Sequence, residues 1–254
     1  MSTKSAYALL CRKVYDIQLK LIQKMIETNL YNDYTFLVFI DDNTQNIDQF
    51  KREYINIQFI QIEDKVCLEK GYKNMTYSIT KTPVSWDKSV YYFCEINNTF
   101  DYIWFVEDDV FIPNPEAIHY LDNKYKDYDL LTKENNVSLN YYTKNWHWHL
   151  GINNAPLPLF KSLVCTLRIS KNLLHIIRNY ARVFKKLFFL EIMFPTLNAH
   201  SKLKNKVVSE LSTIIYRFPW EENKHLIKKN YLYHPIKNLE VQKEIYEKIN
   251  NISI

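Results

Sequence analysis

Apolar and polar positions in the first half of the chain fall into alternating strand-like and helix-like stretches. "SAYALLC" (5–11) is a short apolar run, and in the following "RKVYDIQLKLIQKMIETN" the residues Val14, Ile17, Leu21 and Met25 recur at helical spacing. "YTFLVFIDDN" reads as a wholly apolar strand ending in acids, and "INIQFIQIED" alternates as a half-exposed strand does. "PVSWDKSVYYFCEINN" predicts a helix that starts at a serine cap, and "DYIWFVEDDVFIP" predicts another buried strand. Strands separated by helices of this length imply a parallel or mixed α/β sheet. Near-continuous apolar strands imply that it is covered on both faces.

After residue 114 the pattern changes. "NPEAIHYLDNKY" predicts a short helix with Asn114 as its cap and Pro115 in its first turn, and "YDLLT" a short strand. "NWHWHL" is a cluster of aromatic and imidazole side chains, and "PLPLFKSLVCTLRIS" is strand-like. "KNLLHIIRNYARVFKKLFFLEIMF" is amphipathic and helical until Pro195 interrupts it. No repeat, low-complexity linker or break in composition divides the chain, so a single domain over residues 1–254 is expected.

Composition narrows the chemistry. The 33 Lys plus Arg exceed the 28 acids only slightly, for a net charge of +5, and are spread along the chain. This mild basicity suits anionic ligands and does not describe a nucleic-acid tail. With two glycines, Gly71 and Gly151, the chain has neither a dinucleotide fingerprint nor a Walker loop. Any phosphate must therefore be held by a metal or by side chains. Cys11, Cys67, Cys94 and Cys165 lie far apart without zinc spacing, which favours free buried thiols in a reducing compartment. The N-terminal apolar stretch is too short for a signal segment, and no later run approaches the roughly 18 residues of a membrane span. A soluble, cytoplasmic protein is expected. The Asn-x-Ser/Thr triplets at Asn74, Asn97, Asn136 and Asn251 are read as chance in an Asn-rich chain.

Ligands of open α/β sheets bind beyond the carboxyl ends of the strands, which brings Asp41, Asp42 and the cluster Glu107, Asp108, Asp109 toward one pocket. Three adjacent carboxylates repel one another, and a cation or a strong set of donors would hold them together. An apolar, aromatic-rich strand emerging into Glu-Asp-Asp resembles the aspartate-any-aspartate signature of GT-A glycosyltransferases. The resemblance implies a GT-A type (Rossmann-like) α/β fold with a mixed, mostly parallel central sheet and helices on both faces. It also implies Mn²⁺ or Mg²⁺ as cofactor, with Asp109 as the direct metal ligand, Asp108 turned toward the ribose or donor sugar, and Glu107 in support. Asp41 or Asp42 would meet the uracil, unless they only start a turn. Lys88 would reach a phosphate, unless it is a solvated helix-face lysine. His234, in "YLYHPIK", would close over the diphosphate or add a metal ligand, with a structural place before Pro235 as the other reading.

Glu191 is a lone acid among apolar residues in "LFFLEIMF", surroundings that raise a carboxyl pKa toward the range of a general base. Its spacing after the signature resembles that of the base in inverting members. The other reading points it from an amphipathic helix into water. In "NWHWHL", alternation would put Trp146 and Trp148 on one face and His147 and His149 on the other. Trp146, Trp148 and His149 are candidates for stacking on and hydrogen bonding to an acceptor sugar. The two alternate histidines have no third zinc ligand nearby.

The leading expectation is an inverting, metal-dependent hexosyl- or N-acetylhexosaminyltransferase, carrying sugar from a UDP-sugar to a hydroxyl of a glycan or glycoconjugate. Residues 1–113 would bind the nucleotide sugar, and 114–254 the acceptor and catalytic base. A nucleotidyltransferase of similar layout is an alternative, although the N-terminal run offers only Arg12 and Lys13 for a triphosphate. A non-enzymatic module, using "RISKNLLHIIRNYARVFKK" and "HSKLKNK" to bind nucleic acid or a membrane surface, is another. Peripheral membrane contact is also compatible with the transferase, for which no nucleic-acid partner is expected.

Overall fold

The apolar runs of the first half line up as the parallel part of one sheet. The structure, a computed structural model, describes residues 3–73, 82–144, 146–151, 155–252 and 254. Strand β1 (Ser5–Cys11) is buried throughout, with β2 (Tyr34–Ile40) and β3 (Ile57–Ile60) to one side and β4 (Tyr102–Glu107) to the other, all parallel. Beyond β4 the sheet takes in three strands of the second half: β5 (Leu130–Thr132), β8 (Thr166–Ser170) and β9 (Asn205–Val207). The order is β3-β2-β1-β4-β8-β5-β9, with β8 antiparallel to both its neighbours. Strands β6 (Asn136–Ser138) and β7 (Leu159–Lys161) form a separate antiparallel pair.

Helices cover both faces. Alternate residues of β4 feed two cores, Ile103 and Phe105 one, Trp104 and Val106 the other. The first core also holds Trp86 and Val90 of α4 (Ser85–Tyr91), Leu173 and Ile177 of α6 (Lys171–Phe184), and Phe194 of α7 (Leu190–His200). The second holds Leu19 and Ile22 of α1 (Asp16–Glu27) and Ile118 and Leu121 of α5 (Ala117–Lys124). Each such side chain contributes about 1.5–3 kcal/mol by burial. The shorter α2 (Asp48–Glu53) and α3 (Asp64–Lys70) flank β3, and α8 (Leu239–Asn250) closes the described helices.

Several local expectations are modified. Val84, not a serine, caps α4, and its amide is taken 3.0 Å away by the carboxylate of Asp87. The helix predicted within 83–98 ends as a π-helical turn at Tyr92–Ile96. The long amphipathic segment is two helices, because Lys185 adopts a left-handed conformation (φ 55°) that ends α6. Gly71 permits the packing there: its own φ is +84°, and a Cβ on it would lie 2.7 Å from the backbone of Lys185. Pro195 sits inside α7 without ending it. A proline leaves the carbonyl four residues earlier without a donor. That carbonyl is Glu191's, and the amide of Ser162, just beyond β7, supplies the missing hydrogen bond at 2.9 Å.

All four cysteines are free and buried. At the amino-terminal ends of the strands, the fully buried Arg168 donates to Asp122 (2.7 Å) and to the carbonyls of Tyr125 and Tyr128. Among the described residues no helix is long and apolar enough to cross a membrane.

Candidate active site

The chain order reverses between β1 and β4, and their carboxyl ends lie side by side. Backbone hydrogen bonds lock the loops leaving them: Asp108 donates to Leu10, Asp41 to Cys11 and Asp42 to Arg12, each at 3.0 Å, and Glu107 to Cys165 at 2.9 Å. Over these ends opens a cavity of about 300 Å³ lined by Arg12, Trp86, Glu107, Asp108, Phe189 and Glu191, among others. Ligand sites of such sheets form at this reversal.

The acidic turn forms one wall of the cavity. Trp86 Nε1 donates to Glu107 at 2.7 Å. Burial, with the charge of Asp109 added, pushes the Glu107 carboxyl above its ordinary range and that of Asp108 up to about 6. Asp109 points toward His234, whose Nε2 lies 3.4 Å from Asp109 Oδ1. On the other side of that ring, Nδ1 lies 3.3 Å from the Ile215 carbonyl. A carbonyl only accepts, so Nδ1 carries a proton and Nε2 is left facing the carboxylates. The C-terminal segment is laced to the turn: Phe111 and Tyr233 exchange backbone hydrogen bonds, Ile236 donates to the Asp109 carbonyl at 2.9 Å, and Gln242 of α8 reaches the Asp108 carbonyl at 3.3 Å. One ligand atom each from Glu107, Cys165 and His234 falls within 4.8 Å of the other two.

The two acids after β2 differ. Burial, opposed by Lys88 and reinforced by Asp87, Asp64 and Asp108, raises Asp41 to about 7. Its Oδ1 is buried and has no hydrogen-bond partner among the described residues. Asp42 instead accepts from the Thr44 hydroxyl and amide and pairs with Lys13, which hold it down at about 2. Asp42 thus starts a turn, and Asp41 is the one with an unused acceptor. Lys88, expected to reach a phosphate, is buried, with Nζ 2.9 Å from the Asp41 carbonyl and 3.0 Å from Asp64 Oδ1. Its ammonium ties the end of β2 and the start of α3 to α4.

Glu191 enters from the second half of the chain. It lies in the first turn of α7 and lines the same cavity as Glu107 and Asp108. Burial, countered in part by Lys161 and reinforced by Glu107 and Glu134, pushes its carboxyl up to about 7.

The aromatic cluster divides. Residues 148–151 form a 3₁₀ turn, so strand alternation does not hold there. Trp146 and Trp148 meet edge to face at 5.1 Å, but Trp148 is only 2% exposed and packs in the core, where it offers no face to a sugar. Trp146 is half-buried, with Lys161 Nζ 4.5 Å from its ring centre and Phe189 at 5.8 Å. With Tyr141, Tyr142 and the exposed His147 and His149 it lines a depression of about 530 Å³. Phe189, which packs against Trp146, also lines the carboxylate cavity.

Trp86, Arg12 and Cys165 complete the site without having been singled out as site residues. Trp86 was legible only as a helix residue, and Cys165 only as an apolar one.

No family model and no curated protein matches this chain. The fold does have solved counterparts. The galactosyltransferase LgtC, in complex with donor and acceptor sugar analogs, superposes with a TM-score of 0.50 at 11% identity, covering 98% of this chain and 96% of its own. An active-site mutant of LgtC gives 0.50 and 11% over 96% and 95%. This likeness establishes the fold, a GT-A, Rossmann-like α/β architecture with a mixed, mostly parallel sheet. A 4-diphosphocytidyl-2C-methyl-D-erythritol synthase from Anaerococcus prevotii, at a TM-score of 0.46 and 9% identity over 97% and 99% of the two chains, adds nothing to that assignment.

Proposed function

We propose that the protein is a metal-dependent, inverting glycosyltransferase that moves a sugar from a UDP-sugar to a hydroxyl of a glycan or glycoconjugate. One observation carries the reading: Glu107 and Asp108 line one cavity with the raised carboxyl of Glu191 at the carboxyl ends of β1 and β4, and Asp109 of the same turn faces His234.

Hard carboxylate oxygens beside an imidazole nitrogen suit Mn²⁺ or Mg²⁺, and Asp109, His234 and Glu107 would hold the ion. Once bound, the ion neutralises charge on the diphosphate leaving group. Asp108 faces the donor's ribose or sugar. The unused Oδ1 of Asp41 accepts a hydrogen bond from the nucleobase or ribose. Arg12, exposed at the rim, adds positive charge for the diphosphate.

Glu191 takes the proton of the acceptor hydroxyl as that oxygen attacks the anomeric carbon and the bond to the diphosphate breaks. A carboxyl near pKa 7 suits this step, because about half of it is ionised at neutral pH and it is still basic enough to accept the proton. Trp146 and His149 line the adjoining depression, where an acceptor sugar stacks and hydrogen bonds. In this reading residues 1–113 serve mainly the donor, and 114–254 the acceptor and the base.

The test is a thermal-shift series with UDP, with and without Mn²⁺, on the wild type and Asp109→Asn, followed by a transfer assay on UDP-sugars. Stabilisation by UDP that needs both Mn²⁺ and Asp109 is expected; a 100-fold excess over Kd adds about 2.7 kcal/mol. No response of the folded protein to any nucleotide overturns the reading. The anomer of the product, read by NMR, decides between inversion and retention.

A further inference from the structure

Cys165 lies immediately before β8 and opposite the end of β4. The antiparallel pairs Phe105–Leu167 and Val106–Thr166 lead up to it, and its carbonyl receives the amide of Glu107. Its thiol is buried against acids: it hydrogen bonds to the Glu107 carboxylate, and the charges of Glu107, Asp109 and Glu191 all act on it. Glu107, Cys165 and His234 each place a ligand atom within 4.8 Å of the others. Neighbouring ligands of one tetrahedral ion, on bonds of about 2.1–2.3 Å, are separated by about 3.4–3.8 Å. Closure of at most about 1.4 Å therefore brings all three onto one ion. The 3.4 Å between His234 Nε2 and Asp109 Oδ1 is the spacing of neighbouring ligands.

Oxygen and imidazole ligands alone suit Mn²⁺ and Mg²⁺. A thiolate is a soft ligand that Mg²⁺ does not take, whereas zinc-class ions do. We propose that Cys165 is a fourth protein ligand of this centre, and that without nucleotide the centre binds thiophilic divalent cations through Cys165, Glu107, Asp109 and His234 in preference to Mg²⁺ and Mn²⁺. The inference rests on the reading that this cluster holds a cation. On coordination the thiol proton leaves to solvent, and a sulfur lone pair forms the metal bond. With a hard ion the thiol keeps its proton and stays hydrogen-bonded to Glu107. The centre thus has two ligand sets sharing three residues.

The metal-free wild type and Cys165→Ser are titrated with Co²⁺ and Cd²⁺ in the absence of nucleotide, and the thiolate-to-metal charge-transfer absorption is followed. A second series measures Mn²⁺ binding in the presence of UDP. The wild type is expected to give a thiolate band that saturates at a single ion per chain. Cys165→Ser, with an unchanged circular dichroism spectrum, is expected to give none and to bind Cd²⁺ more weakly by more than the roughly 10–100-fold typical of losing an outer-shell partner. A wild type that binds Mn²⁺ with UDP but shows no thiolate band overturns this proposal and leaves the transferase reading standing. A band that persists in Cys165→Ser also overturns it. A protein that binds no divalent ion, with or without UDP, overturns both.

Discussion

The Ser162 amide donates a 2.9 Å hydrogen bond to the Glu191 carbonyl, the group that Pro195 leaves without a helical donor. A second tie runs alongside: the Thr196 hydroxyl accepts from the Phe160 amide at 2.9 Å and donates to the Phe160 carbonyl at 3.1 Å. The first turn of α7 is thereby fastened to the end of β7, and the Glu191 side chain is held at the cavity. The proline, which the pattern alone presents as a helix breaker, helps to position the candidate base.

That placement has a pH signature. The folded pKa of Glu191, about 7, lies above its ordinary value of 4.5, so the folded state binds the proton more tightly than the unfolded chain. This group's contribution to stability is complete below about pH 4.5 and is lost as pH rises through 7. Glu191→Gln is therefore expected to match the wild type at pH 4 and to be more stable at pH 8 by up to about 3 kcal/mol, measured by urea unfolding at the two pH values. Activity runs the other way. Transfer by the wild type should fall about tenfold per pH unit below 7, and the Gln variant should keep UDP binding but lose transfer. A wild-type rate indifferent to pH between 5.5 and 8 would remove Glu191 from the role of base.

Trp86 supports the acidic turn from outside it. Its Nε1–H fixes one Glu107 oxygen at 2.7 Å. Trp86→Phe keeps an aromatic ring and deletes the donor, and should weaken Mn²⁺-dependent UDP binding by about tenfold. His234→Ala should weaken it more. Isothermal titration at fixed Mn²⁺ measures both, and equal affinity in all three proteins would detach the acidic turn from the metal.

Lys88 is expected to behave as a structural cation. Its Nζ is spent on Asp64 and the Asp41 carbonyl, but the Asp64 side chain is 37% exposed, so water can replace part of the lost contact. Lys88→Met should cost about 2 kcal/mol, below the about 3–5 kcal/mol of breaking a fully buried pair, with KM for the donor unchanged. A raised KM at unchanged stability would return Lys88 to the diphosphate.

The Arg168–Asp122 pair gives the larger effect. Asp122 also accepts from Trp104 Nε1 at 2.9 Å and from the Tyr34 hydroxyl, at the end of the strands remote from the cavity. Asp122→Ala strands a buried guanidinium and should cost about 3–5 kcal/mol in chemical unfolding. Nucleotide affinity should be unchanged at temperatures where the variant is folded.

The parallel strands, the helices between them and the acids at the ends of β2 and β4 were legible in sequence. Each depends on local periodicity, and burial on both faces of a sheet leaves an unbroken apolar run. Tertiary structure decided what periodicity does not encode. Lys88 and Trp148 look like surface equipment in sequence, yet the buried ammonium of one is consumed by Asp64 and the Asp41 carbonyl, and the other by the core. Glu191 shares a cavity with Glu107 because β8 inserts antiparallel beside β4 and carries α6 and α7 onto the same face. His234 meets Asp109 only through the Phe111–Tyr233 backbone exchange. Such pairings join residues scores of positions apart. Their free energy lies in contacts between elements, and no single segment of the chain carries a record of them.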